Sequence, residues 1–296
     1  MKQKAVVFGG SGFIGSHVSD ALAERGFEVT IFDKRPSPYL REGQHMMVGD
    51  ILNEAQVEEA ITGQDYVFHF AGISDIDEAS QRPVDTVKLN VLATVYMLEA
   101  ARKHHIKRFF FASSSYVYSN AGGFYKNSKQ ACELFIETYQ KQYGLNFTIL
   151  RYGSLYGTRS DHHNSIYRII YHALKDKKIV YHGTGEEYRA YIHVKDAAKL
   201  TVDTLDEQYA NEYLELTGNY PMKYSNLLEM IREMLNNEVE IEYRENRSDT
   251  HYRMTPYNFQ PRVAKKLTNN PQIDMGQGIL ELMGDIYHYL YESKEL

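Results

Sequence analysis

Short apolar runs alternate with amphipathic stretches over the first half of the 296-residue chain. KAVVF (4–8), FEVTIF (27–32), DYVFHF (65–70), RFFFA (108–112) and FTILRY (147–152) are rich in Val, Ile and Phe and are bounded by polar or turn residues. That pattern predicts strands buried on both faces of a parallel sheet. Between them the period changes. Val84, Val87, Val91, Val95 and Leu98 recur every three or four residues just after Pro83, which predicts a helix over 84–104 with the proline in its first turn. A second helix is predicted over 125–143, with Ala131, Leu134, Phe135 and Thr138 along one side. Strand and helix in alternation imply right-handed βαβ crossovers, so the expected fold class is α/β, a Rossmann-type doubly wound parallel sheet. After about residue 153 the rhythm gives way to shorter, mixed elements, with helices predicted at 225–235 and near 278–293. The expected organisation is a sheet domain over 1–160, to which a later segment near 190–215 returns, and a smaller mixed α/β substrate-binding part over 161–296.

Composition narrows the class. Hydrophobic and charged fractions of 43% and 24% are those of a soluble globular protein. The net charge of −6, a pI near 6.1 and the lack of a long basic run speak against a nucleic-acid partner. Cys132 is the only cysteine and cannot form an internal disulfide. The start MKQKAVVFGGSG enters a strand and a glycine turn without the apolar stretch of a signal peptide, and no apolar run approaches the ~18 residues of a membrane span. The expectation is a cytoplasmic protein with no membrane partner. Twenty-five tyrosines against no tryptophan are read as amphipathic residues at surfaces and core edges. The pair His162-His163 does not suggest a metal, because adjacent residues do not converge on one ion and no C-x-x-C or H-x-x-x-H partner stands nearby.

The turn after the first strand, GGSGFIG, spaces Gly9, Gly12 and Gly15 at three-residue intervals. Glycines there let the backbone turn sharply, bring amides against a pyrophosphate at a helix N-terminus, and allow close packing of helix on strand. Alone, such a trio also fits a plain tight turn. Here it follows a strand and opens a helix, and Asp33 ends the second strand about 20 residues on, where a carboxylate accepts both ribose hydroxyls of an adenosine. The acid repels a 2′-phosphate and favours NAD, whereas Lys34 and Arg35 directly after it would suit NADP. Gly49-Asp50 is either a turn or the source of a carboxylate near the adenine amino group.

Downstream, SSSYVYSNAGGFYKNSK (113–129) sets a serine cluster ahead of Tyr125 and Lys129, which share a helix face at i and i+4. A free phenol, with a pKa of roughly 10, is a poor base at neutral pH. A neighbouring ammonium and a positive nicotinamide ring both favour the phenolate.

GGSGFIGS, GDIL (49–52), HFAG (69–72), LNVLAT (89–94), SSS ahead of Tyr-x-x-x-Lys, LRYGSLYG (150–157) and GTGEEYRAYIHVKDAA (183–198) stand in the order seen in the extended short-chain dehydrogenase/reductase family. Within it the chain resembles the nucleotide-sugar epimerases and dehydratases, most of all the UDP-glucose/UDP-galactose 4-epimerases. The match covers the first two thirds and is loose beyond.

The resemblance implies NAD held by Gly9, Gly12, Phe13, Ile14, Gly15, Asp33, Lys34, Asp50, Ile51, Phe70, Ala71, Gly72, Asn90, Lys129 and Tyr152. It implies Tyr125 as acid/base toward a sugar hydroxyl while the carbon beneath gives hydride to the nicotinamide. Lys129 would lower the phenol pKa and hold the nicotinamide ribose, and Ser114, four residues before the Tyr118 of the VY pair, would donate to the hydroxyl or keto oxygen. Contacts to a nucleotide-diphosphate sugar would come from Ser74, Ser115, Ser154, Arg189 and Arg247, with Arg253 an alternative to the last. Arg189 matches a diphosphate-binding arginine, the other reading being an ion pair with Glu186 or Glu187. The helices over 84–104 and 125–143 would pair with their copies in a homodimer, unless their apolar faces are buried within one subunit.

Three departures bear on the reaction. Where the family's 4,6-dehydratases carry Asp-Glu after the serine position, this chain has Ser115 and Tyr116, which disfavours elimination and, less strongly, decarboxylation. Ala190 and Ser154 replace an Asp and an Asn. The loop between Tyr118 and Tyr125 is only SNAGGF, shorter than usual. What remains is NAD-dependent epimerisation, expected at C4 through a 4-keto sugar. The alternatives are a 4-oxidase or 4-ketoreductase with net cofactor turnover, and a non-catalytic NAD sensor.

Overall fold

Alternation of single residues builds the centre of the molecule. Along β1 (Lys4–Phe8), Ala5 and Val7 enter the core on one side of the sheet and Val6 and Phe8 the core on the other, because successive side chains of a strand leave opposite faces. The computed structural model describes residues 2–244, 265–267 and 273–292. Within them, β2 (Glu28–Asp33), β3 (Gln44–Val48), β4 (Tyr66–His69), β5 (Arg108–Ser114) and β6 (Phe147–Tyr152) extend the sheet around β1. The chain then leaves through β7 (Ser154–Tyr156), β8 (Lys178–His182) and β9 (Tyr188–His193), returns with β10 (Glu212–Leu216), and goes out again to β11 (Pro221–Lys223) and β12 (Glu240–Arg244) before β13 (Lys265–Lys266) adds an edge pair. The large sheet runs β13-β10-β6-β5-β4-β1-β2-β3 with every neighbour parallel, and the strand order reverses between β1 and β4. Ligands of such sheets bind outside the carboxyl ends of the strands at that reversal.

The helices, in chain order, are α1 (Phe13–Glu24), α2 (Glu54–Ile61), α3 (Ile76–Gln81), α4 (Pro83–Thr86), α5 (Ala93–Lys103), α6 (Gly123–Tyr143), α7 (Ser165–Asp176), α8 (Val194–Asp203), α9 (Tyr224–Met234) and α10 (Met275–Tyr287). Val57 and Ile61 of α2, Met97 and Leu98 of α5, and Cys132 and Ile136 of α6 close one core against Val6, Phe8 and Phe109. On the opposite face Val18 and Leu22 of α1 and Ala197 and Leu200 of α8 meet Val7, Phe68 and Phe110. The rings of Phe68 and Phe110 stack there at 4.2 Å. Each large aliphatic or aromatic side chain so buried contributes about 1.5–3 kcal/mol. A third core gathers Ile166 and Ile170 of α7, Leu227 and Ile231 of α9, and Ile279 and Leu282 of α10, over the small sheets β11-β9-β7 and β12-β8. No helix among the described residues is long and apolar enough to cross a membrane.

One expectation changes. The helix predicted over 84–104 is broken into α4 and α5 by a π turn over Val87–Leu92. The Asn90 carbonyl accepts from Thr94 Oγ1 and Cys132 Sγ, and the Asn90 side chain turns inward. α6 buries Tyr125, Lys129, Cys132 and Ile136, and leaves Leu134 and Phe135 of the expected apolar side 50% and 43% exposed. Val84 and Val87 are exposed as well, whereas Leu98 on the same stripe is fully buried.

Candidate active site

At the carboxyl end of β1 the chain turns through Gly9, whose φ of +79° is the left-handed region. Side chains have no room there: a Cβ at Gly9 would stand 2.7 Å from Ala71 N, and one at Gly15 2.2 Å from Gly9 O. The turn therefore lies directly against Phe70-Ala71-Gly72 after β4, across the strand reversal. Asn53, Asp75, Asn164 and Asp274 cap α2, α3, α7 and α10 with their side chains, but Gly12 gives α1 no capping side chain. The first amides of α1, at Phe13 and Ile14, are thus left to an outside acceptor, and a glycine cradle ending in a bare helix N-terminus fits a pyrophosphate.

Asp33, at the end of β2, accepts from Ser11 N (3.1 Å) through one oxygen and from Arg35 N (3.2 Å) through the other. Its carboxylate so braces the glycine turn and keeps lone pairs for ribose hydroxyls. Lys34 is exposed beside it. After β3, Asp50 accepts from Leu52 N (2.9 Å), and Ile51 packs on the core.

Asn90 is buried, and its amide forms a clip: Oδ1 accepts from Ile73 N (2.7 Å), while Nδ2 donates to Ile73 O (3.0 Å) and Ser128 Oγ (2.9 Å). Through it the π turn ties the 70–73 loop to α6 one residue before Lys129. Ser74 follows on the exposed side of that loop.

The three serines at the end of β5 are sorted by their partners. Ser113 Oγ donates to Glu133 (2.6 Å) and Ser115 Oγ to Tyr152 O (3.3 Å), both buried. Ser114 Oγ accepts from Tyr116 N (3.3 Å), and among the described residues its hydrogen has no acceptor. Ser114 is thus the serine with a proton to offer, whereas Ser115 is fully buried and is not brought to the open end of the strands.

Tyr125 sits in a small apolar box of Ile73, Ile76 and Ala79, with Leu89 and Tyr116 packed against it. Lys129, one turn on, is buried; its Nζ donates to Ala112 O (2.8 Å) and lies 5.9 Å from the centre of the Tyr125 ring. Burial pushes the ammonium pKa down, and Cys132 and Glu133 act in the opposite direction. Beneath it Glu133 takes two charge-assisted bonds from Arg151, at 3.0 and 2.7 Å, besides the one from Ser113. The register pairs Ser113 with Arg151 across β5 and β6, so helix and sheet are fixed to each other under the lysine.

Tyr152 is buried beside Phe70, its hydroxyl at 2.6 Å from Thr201 of α8, and burial raises its pKa. Ser154 and Arg189 lie on neighbouring strands β7 and β9. Glu186 pairs instead with Lys223 (2.7 Å), and Glu187 accepts from Tyr181 (3.0 Å). Arg247 and Arg253 lie outside the described residues. His162 and His163 diverge, the first onto the Tyr167 and Tyr171 rings and the second to Asp161. A cleft of about 860 Å³ opens elsewhere, on the flank where α1 meets α8, and does not include Ser114, Tyr125 or Lys129.

The model of the NAD dependent epimerase/dehydratase family matches residues 5–214. The chain belongs to that family. Membership makes it an NAD-dependent enzyme. Within the family, the chain is 28% identical over 295 residues to a putative UDP-glucose 4-epimerase of Methanocaldococcus jannaschii, covering 93% of this chain and 95% of that one. It is 31% identical over 242 residues to a UDP-N-acetyl-alpha-D-glucosaminuronate decarboxylase of Bacillus cytotoxicus, covering 73% and 75%. A solved UDP-N-acetylglucosamine 4-epimerase from Methanobrevibacter ruminantium superposes with a TM-score of 0.83 at 25% identity, covering 96% of this chain and 98% of that one.

Sequence reasoning missed the Glu133–Arg151 pair and the partners of Asn90. Glu133 stands four residues after Lys129, a spacing visible in the sequence, but its partner is on a strand 18 residues away.

Proposed function

We propose that the protein inverts C4 of a nucleotide-activated sugar through a transient 4-keto sugar. The observation that carries this reading is the grouping of Ser114, Tyr125 and Lys129 at the carboxyl ends of the strands, followed by Ser115 and Tyr116 and no carboxylate. Bound NAD, held by the glycine cradle and Asp33, supplies the two-electron oxidation and reduction at the sugar carbon. Tyr125 Oη takes the proton of the 4-hydroxyl as C4 is oxidised and gives it back at the end. Ser114 donates to the sugar oxygen throughout, which is the task its spare hydrogen suits. Lys129 favours the phenolate by its charge. With no acid pair beside the keto sugar, neither elimination nor loss of a carboxylate is assisted.

Arg189 is assigned to the diphosphate, Ser154 and Ser74 to the sugar, and the likeness to two UDP-sugar 4-epimerases supports a uridine nucleotide. A second reading with the same three side chains is a 4-oxidase or 4-ketoreductase with net cofactor turnover. Incubation with a panel of UDP-sugars, followed by NMR, separates the two: an epimer forms with no net change in NADH absorbance, whereas an oxidase changes it stoichiometrically. If no sugar is altered at any stereocentre, the reading fails. The exposed Val84, Val87, Leu134 and Phe135 support pairing of these helices with a second copy in a cytoplasmic homodimer, which sedimentation equilibrium tests.

A further inference from the structure

Tyr116 holds three parts of the site together. It is the second residue of a one-turn 3₁₀ helix, Ser115–Tyr118, that follows β5 directly. Its backbone N–H donates to Ser114 Oγ at 3.3 Å. Its ring meets the Tyr125 ring edge to face, with centroids 6.4 Å apart and planes at 80°. On the other side the short 119–122 loop lies on the same ring: Gly122 has φ +94°, and a Cβ there would stand 2.8 Å from Tyr116 Cδ1 and 3.0 Å from Lys126 Cβ. Gly122 is also the N-cap of α6, and its carbonyl accepts from Lys126 N at 3.0 Å. The Tyr116 ring is therefore the spacer between the start of α6 and the end of β5, the two elements that carry the tyrosine and the serine.

We propose that Tyr116 is a positioning residue of this active site: its amide orients the Ser114 hydroxyl, and its ring fixes the Tyr125 phenol. The role rests on Tyr125 being the acid/base of the proposed reaction. An edge-to-face aromatic pair contributes specific geometry beyond buried area, and a small misplacement of a reacting group costs on the order of a hundredfold in rate. A residue acting through its ring tolerates loss of its hydroxyl.

The test compares Tyr116→Phe and Tyr116→Ala in the NAD-loaded protein. The Tyr125 phenol is titrated by near-ultraviolet difference absorbance, each protein being subtracted from its own Tyr125→Phe counterpart. Tyr116→Ala is expected to shift that titration by about one pH unit. It should also lower kcat for sugar conversion by about ten- to a hundredfold, with KM changed far less. Tyr116→Phe, which keeps the ring, is expected to shift the titration and lower kcat far less than Tyr116→Ala. The proposal is overturned if Tyr116→Ala leaves the titration in place, or if Tyr116→Phe is as damaging as Tyr116→Ala. The optical titration needs no substrate. A wild-type protein that converts no UDP-sugar would sink the functional reading while this measurement still decides the role of Tyr116.

Discussion

Replacing Lys129 by methionine removes a buried cation while keeping a stem of similar length, and the geometry sets the size of the effect. The ammonium lies 5.9 Å from the centre of the Tyr125 ring. Taking that as the charge separation, an ammonium and a phenolate attract by roughly 2.8 kcal/mol at an effective dielectric constant of 20. At 1.36 kcal/mol per tenfold, loss of the cation raises the phenol pKa by about 2. The sign is fixed by chemistry: the base works ionised, so the rate rises with pH through its pKa. The rising limb of kcat/KM is expected to move to higher pH by about 2, leaving activity roughly a hundredfold lower below the limb and converging with wild type above it. The assay is the pH profile of sugar conversion for wild type, Lys129→Met and Lys129→Arg, the last keeping the charge. The calculation requires a charged lysine, although burial pushes its own pKa down. An unmoved limb in Lys129→Met would refute the electrostatic argument, because a neutral amine there could not act on the phenol.

Gly15→Ala forces a Cβ to 2.2 Å from Gly9 O, so NAD affinity should fall at least about tenfold, or ~1.4 kcal/mol, by calorimetric titration; unchanged binding would mean the turn is not the cradle. Arg151→Met strands the buried Glu133 carboxylate and should cost about 3–5 kcal/mol in urea unfolding, much of it restored in the double variant with Glu133→Gln. Equal losses in single and double variants would contradict the pair's role. Burial holds His17, His69 and His193 neutral, with pKa values lowered to about 4, 3 and 4. The unfolded chain binds their protons from about 6.5 downward. Stability should therefore be fully present near neutrality and fall by about 2 kcal/mol per histidine at pH 5. Urea midpoints that stay flat between those values would exclude this.

The apolar runs mark β1, β2, β4, β5 and β6 almost to the residue, because strands buried on both faces read as nearly continuous apolar runs. β3, with the sequence QHMMV, lies at the sheet edge with mixed exposure and gives a fainter signal. The π turn left no trace, since Val84, Val87 and Val91 keep a helical period whichever carbonyl each amide selects. The stripe on α6 was legible as apolar, and Leu134 and Phe135 face outward; the burial of Lys129 and Glu133 was not legible, because Ala112 O, Ser113 and Arg151 receive them. Of the site, Gly9, Asp33, Tyr125 and Lys129 could be marked because they follow local spacing. The choice among Ser113, Ser114 and Ser115 becomes physical only when their partners on α6 and β6 are known.

Arg108, 1% exposed on β5, donates to Thr204 O at 2.9 Å and to Asp206 O at 3.0 Å, where α8 ends. It bolts a late segment of the chain onto an early strand, and beside it β10 pairs along the whole of β6. The two halves are consequently interleaved and cannot be severed at one peptide bond: a fragment ending at residue 160 would bare one flank of the sheet and leave the β6 edge without its neighbour. Any opening of the part over 161–296 must flex at several chain crossings together, which favours small rigid-body tilts over a free swing about one linker.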